Sequence, residues 1–154
     1  MSATPRAPDP ATVPASGDDA TDGRLAGRVM IVTGAQRGIG YACAEALLAE
    51  GARIACVDLP GAELDAAVGR LGQGATGHPC DIADTAAGAR LVDEVVGRHG
   101  RLDALVAAAG TLAPEPFLEL SLEQWDRTLD VNARGGVFLA QACARRFVAD
   151  DVAG

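Results

Sequence analysis

Three kinds of residue in this chain carry chemistry at a readable spacing. The first is a glycine cluster, Thr33-Gly34-Ala35-Gln36-Arg37-Gly38-Ile39-Gly40, which follows the apolar run Val29-Met30-Ile31-Val32 and precedes a segment of helical composition, Tyr41 to Leu48. A strand, a tight glycine turn and a helix start in that order present the unpaired N–H groups and the positive dipole end of the helix to a phosphate. Gly34 permits the sharp turn, Gly38 lets backbone approach a ligand, and Gly40 lets the helix pack close to the strand. The second kind is an acid at the end of an apolar run: Asp58 after Arg53–Val57, and Asp81 after Ala75–Cys80. Asp58 stands about 20 residues beyond the glycines, where a carboxylate accepts both hydroxyl hydrogens of an adenosine ribose and repels a 2′-phosphate, which favours NAD over NADP. Read without the glycines, Asp58 only opens the turn Leu59-Pro60-Gly61. The third kind is Asn132, followed by Gly135 and Gly136 inside a helical stretch where all three are poor helix formers.

The elements that must position these residues alternate. Val29–Val32, Arg53–Val57, Ala75–Cys80 and Leu102–Ala107 read as strands. Helical patterns lie between them: one from Ile39, with Ile39, Cys43 and Leu47 on its inner face and Gly51 as its stop; a short one over Ala62–Leu71; and Thr85–His99, with Leu91, Val92, Val95 and Val96 inward and Asp84 or Thr85 as its N-cap. Pro114 and Pro116 mark a loop, and Ser121 with Gln124 forms a capping box opening a long helix to Phe147. Strands alternating with helices imply an α/β fold, a Rossmann-type doubly wound parallel sheet in three layers that extends as far as the fourth strand and the long helix.

The Thr-Gly-x-x-x-Gly-Ile-Gly turn differs from the common Gly-x-Gly-x-x-Gly fingerprint and resembles that of the short-chain dehydrogenase/reductase family, as do Asp81-Ile82 and Val131-Asn132 with Gly135, all in the family's order. The resemblance covers Leu25 to the last residue. It implies cofactor contacts at Gly34, Gln36, Arg37, Gly38, Ile39, Gly40, Asp58, Leu59, Asp81, Ile82, Ala108, Ala109 and Gly110. Within that set, Asp81 and Ile82 lie beside the adenine, and Gly110 lies near the nicotinamide ribose. Asn132 is implied as a catalytic residue, through a helix distortion that lets a main-chain carbonyl hold a relay water. A basic residue at Arg37 also occurs in NADP-preferring members. The chain departs from the family at Ala107-Ala108-Ala109-Gly110, where most members have Asn-Asn-Ala-Gly.

The family's serine and its Tyr-x-x-x-Lys pair have no match here. Tyr41 is the only tyrosine and is followed four residues later by Glu45, and the chain contains no lysine. The resemblance therefore implies an oxidoreductase moving hydride between a nicotinamide and an alcohol or ketone, with this chain as its cofactor half and inactive alone. The alternative is a non-catalytic dinucleotide-binding module or an inactive remnant. A strand order of 3-2-1-4 would leave the fourth strand at an edge, so the isolated chain is expected to be poorly soluble or partly molten. For the whole protein the family implies a homodimer or homotetramer, paired through the long helix.

Composition narrows the partners. The 154 residues amount to one domain, with a net charge of −8 and no basic run, which argues against nucleic acid and anionic membrane and for a small molecule. Met1 to Gly23 is proline-rich and aperiodic and reads as a disordered lead-in to the partial Rossmann domain at 24–154. It has no signal-peptide pattern, and no stretch is long enough to span a bilayer, so the cytoplasm is the expected compartment. Cys43, Cys56, Cys80 and Cys143 read as reduced, buried hydrophobes rather than ligands, His78 as an edge or loop histidine, and His99 as a partly charged ring at a helix C-terminus. No metal site is expected.

Overall fold

The computed structural model describes residues 23–112 and 114–152. The lead-in expected at Met1 to Gly23 lies outside these residues except for Gly23, whose carbonyl accepts from the Ala26 N–H at 2.9 Å. Four strands, β1 (Val29–Thr33), β2 (Arg53–Asp58), β3 (Ala75–Pro79) and β4 (Ala104–Ala107), form one parallel sheet in the order β3-β2-β1-β4. Helices α1 (Gly38–Ala49), α2 (Ala62–Leu71), α3 (Thr85–His99), α4 (Leu122–Leu129) and α5 (Gly136–Ala149) supply the crossovers and the outer layers. This is the doubly wound arrangement that the alternation of apolar runs requires.

β1 and β2 are buried on both faces, and so read as continuous apolar runs rather than alternating ones. On one side Met30, Val32, Ile54, Cys56 and Leu64 pack beneath α1 and α2; on the other Val29, Ile31, Val57, Leu91, Val95, Leu102 and Leu139 pack beneath α3 and α5. Register pairs Thr33 with Val57 and with Ala107, so the C-terminal ends of three strands finish at one level. That level is where a doubly wound sheet opens its crevice.

Several local expectations need correction. Ile39 does not lie on the inner face of α1: it is 77% exposed, and the inner face is made by Gly40 and Ala44, with Cys43 and Leu47 partly buried beside them. The glycine sets that phase, because a Cβ at position 40 would overlap the Gly34 carbonyl and stand 2.6 Å from its carbon. His78 takes the edge placement of the two expected, on the edge strand β3, but its ring is buried. It is 1% exposed on β3, donates through Nδ1 to Glu94 at 2.8 Å and meets the Thr76 hydroxyl through Nε2 at 3.0 Å. His99 also reaches Thr76, at 3.1 Å, and burial together with the neighbouring His78 lowers its pKa, which works against the partly charged ring expected at the helix C-terminus.

The cysteines are all free. Cys56 and Cys143 are buried and their thiols are pushed up to about 11 by desolvation, whereas Cys43 and Cys80 are only half-buried. Asp84 caps α3 through the Ala86 and Ala87 N–H groups at 3.0 Å, and Ser121 and Gln124 form the expected capping box of α4. The long helix is continuous from Leu122 to Ala149, but its turns widen to a π-helix over Asp130–Gly135.

Candidate functional site at the strand ends

The cleft at the C-terminal edge of β1, β2 and β4 is built from the first crossover outward. Thr33 ends β1 with a buried hydroxyl that needs a partner, and its Oγ1 accepts from the Ala108 and Ala109 N–H groups at 3.1 and 3.0 Å. That joins the ends of β1 and β4. The chain then reverses at Gly34 (φ 68°), where a side chain would stand 2.9 Å from the Ala109 Cα. From the other side, Asp58 Oδ2 accepts from the Gln36 N–H at 3.1 Å while Oδ1 accepts from the Leu59 N–H at 2.9 Å. The glycine turn is thus held between two neighbouring strands, and the carboxylate that holds it keeps lone pairs free for a ligand.

The cleft has a volume of about 330 Å³. Twelve of the residues expected at a cofactor line it: Gly34, Gln36, Arg37, Ile39, Gly40, Asp58, Leu59, Asp81, Ile82, Ala108, Ala109 and Gly110. Gly38 is not among the lining residues. Its φ is 58°, and the position a Cβ would take is open space, so the backbone at the start of α1 is bare. Asn132 is exposed and also outside the lining: its Oδ1 accepts from the Thr111 N–H at 2.7 Å and its Nδ2 donates to the Thr111 carbonyl at 2.8 Å. Both side-chain groups are spent on fastening the segment after β4 to the π-turn. Gly135 explains its own place in that turn, since a Cβ there would come within 2.5 Å of the Ile82 carbonyl oxygen.

The Asp81 carboxylate is bonded at both oxygens. Its Oδ1 accepts from the Ala83 N–H at 3.0 Å, and its Oδ2 pairs with Arg127 Nη1 at 3.1 Å. Arg127, Thr111 and Val131 line the cleft and were not singled out from the sequence. Nothing distinguishes Arg127 from the other arginines of the chain, and Val131 was read only as part of a motif. Thr33 was legible in principle, because a hydroxyl at the buried end of a strand demands a partner.

A dinucleotide fits this donor set: bare backbone at a helix N-terminus for a pyrophosphate, and oriented carboxylates at Asp58 and Asp81 for hydrogen-bond donors on a sugar and a base. The fold and this cleft define a dinucleotide-binding α/β domain of the doubly wound class. A family model described as short chain dehydrogenase matches residues 28–154, and the chain belongs to that family. It is 44% identical over 130 residues to a D-threitol dehydrogenase of Mycolicibacterium smegmatis, covering 82% of this chain and 50% of that protein. It is 37% identical over 126 residues to a sorbitol dehydrogenase of Cereibacter sphaeroides, covering 82% and 49%. Among solved structures, NAD+-bound xylitol dehydrogenase superposes with a TM-score of 0.77 at 29% identity, over 82% of this chain and 50% of that one. The chain spans about half the length of the relatives it matches.

Proposed function

We propose that the whole protein is an NAD-linked oxidoreductase acting on a small alcohol or ketone, and that the residues described here are its cofactor-binding half. The observation that carries this reading is Asp58, whose carboxylate is fastened by the Gln36 and Leu59 N–H groups at the rim of the glycine turn with acceptor capacity left over. A carboxylate so placed takes both hydroxyls of an adenosine ribose and opposes a 2′-phosphate. Gly38 and the first turn of α1 receive the pyrophosphate, with Arg37 beside them; Asp81 and Ile82 receive the adenine; and Ala108, Ala109 and Gly110 border the nicotinamide end. When bound, the nicotinamide supplies or accepts the hydride. The polyol dehydrogenases among the relatives support an alcohol or ketone as the substrate class.

Asn132 acts through its backbone. Its side chain is fastened to Thr111 through both Oδ1 and Nδ2, and the group proposed for proton relay is the main-chain carbonyl in the widened turn, where the helical ladder is interrupted. Exposed Leu122, Trp125, Val137 and Phe138 along α4 and α5 support pairing of the whole protein into dimers or tetramers.

Titration with NADH and NADPH, following nicotinamide fluorescence, tests the cofactor assignment. NADH binds at least about tenfold more tightly than NADPH, and Asp58→Ser narrows the gap. Preference for NADPH in the unsubstituted chain overturns the role given to Asp58.

A further inference from the structure

Arg127 stands on α4, distant in sequence from every residue of the glycine turn, yet its guanidinium reaches across the cleft to Asp81 at the end of β3. The carboxylate is held from two sides. Ala83 N–H takes Oδ1 at 3.0 Å from the loop that follows the strand, and Arg127 Nη1 takes Oδ2 at 3.1 Å from the helix opposite. An ionised carboxylate offers about four lone-pair sites, so two bonds fix its rotation and still leave one acceptor direction on each oxygen. Fixing from opposite sides removes the rotational freedom that an exposed aspartate otherwise loses only on binding. A second hollow, formed with Leu112, Glu115 and Gln124, shares Arg127 with the cleft.

We propose that Arg127 is a positioning residue for recognition of the adenine amino group: it holds the Asp81 carboxylate aimed, and thereby sets the preference for a 6-aminopurine over a 6-oxopurine. This rests on the dinucleotide reading given above. An amino group donates to the free lone pair of Asp81, whereas an oxo group at that place offers another acceptor and is repelled. Arg127 works on that discrimination through Asp81, not by touching the purine.

The test compares NADH with its hypoxanthine analogue, reduced deamino-NAD, by nicotinamide fluorescence on the full 154-residue chain. The unsubstituted chain prefers NADH by about tenfold. Arg127→Met reduces that preference to about threefold, chiefly by weakening NADH, and Arg127→Lys keeps more of it. Asp81→Asn abolishes the preference, and adding Arg127→Met to it causes no further change, since the two residues act as one unit. Equal weakening of both dinucleotides by Arg127→Met overturns the proposal, because a purely structural or stacking role has no preference for an amino group. So does an unchanged preference in that variant. Failure of the unsubstituted chain to bind either dinucleotide removes the underlying reading and this inference with it, whereas binding with no effect at Arg127 removes only the inference.

Discussion

β1 and β4 are adjacent in the same parallel sheet, joined by main-chain bonds and by the Thr33 hydroxyl, yet they live in different surroundings. β1 is buried along its whole length, with β2 on one side, β4 on the other and helices over both faces. β4 is half-buried at three positions and exposed at Ala107, and it stands at the edge of the sheet among the described residues. The segment beyond it continues the contrast, with Phe117 86% exposed and Leu118 and Leu122 similarly open. The glycine turn and Asp58, the groups suited to a phosphate and a ribose, therefore lie at the ends of the two buried strands, β1 and β2. Ala108, Ala109 and Gly110 follow the more open strand, β4. Asp58 is held in orientation by the Gln36 and Leu59 N–H groups, which is the condition for binding without a large ordering cost.

The contrast breaks most visibly at the close approaches. Gly40→Val drives a side chain into the Gly34 carbonyl, and is expected to cost upwards of about 4 kcal/mol and to remove NADH binding. Gly136→Ala, where nothing lies within 4 Å, is expected to raise stability by a few tenths of a kcal/mol. Urea unfolding of the two variants checks both signs.

Side-chain truncation sharpens the comparison. Ile31→Ala, at a fully buried site in β1, is expected to cost about 3 kcal/mol, and Leu105→Ala, half-buried in β4, about 1 kcal/mol. Equal costs would erase the distinction between the two strands.

Acid acts on the packed side in two windows. Burial lowers the pKa of His78 in the folded chain below the ordinary 6.5, against the opposing pull of Glu94 and with help from Arg98. The unfolded chain thus binds the proton first, and stability falls as the pH drops below about 6.5 towards the folded pKa. A neutral His78 that donates from Nδ1 to Glu94 accepts at Nε2 from the Thr76 hydroxyl, which in turn accepts from His99; charging the ring keeps the bond to Glu94 but puts a proton on Nε2 and disturbs the Thr76 link. Asp103 behaves differently. Burial pushes its pKa up, but bonds from Arg101, the Val29 N–H and Arg28 outweigh that and hold it below 3.8, so its contribution is lost only under more acidic conditions, as the pH falls from about 3.8. Thermal midpoints between pH 7.5 and 5.5 should decline, and His78→Gln should flatten that decline.

The smallest effect belongs to the open side. Phe117→Ser and Leu118→Ser should leave stability within about 0.5 kcal/mol while raising solubility, measured as the concentration reached before light scattering increases.

The strands, the helix starts and the turn chemistry were legible because each follows from short-range patterns. The glycine turn, the Ser121 capping box and the Asp84 cap needed only neighbouring residues, and the strand order came with the Rossmann-type fold. Phase was harder. Ile39 looked like the first rung of an inner face, but the close contact of Gly40 with Gly34 turns the helix so that Ile39 faces outward. Long-range partners were illegible for a related reason: the pairing of Arg127 with Asp81 spans 46 residues, and that of His78 with Glu94 spans 16, with no periodicity to announce either. Asn132 was found from its poor helix propensity, but its bonds to Thr111 required the fold.

The central claim is that the well-packed side holds a formed adenosine diphosphate subsite. Isothermal titration of the 154-residue chain with ADP-ribose, which contains the adenine, both riboses and the pyrophosphate but no nicotinamide, addresses it most directly. The account predicts saturable one-to-one binding that Asp58→Ala weakens by at least about tenfold. A chain that unfolds cooperatively yet shows no saturable heat with ADP-ribose at millimolar concentration would contradict it.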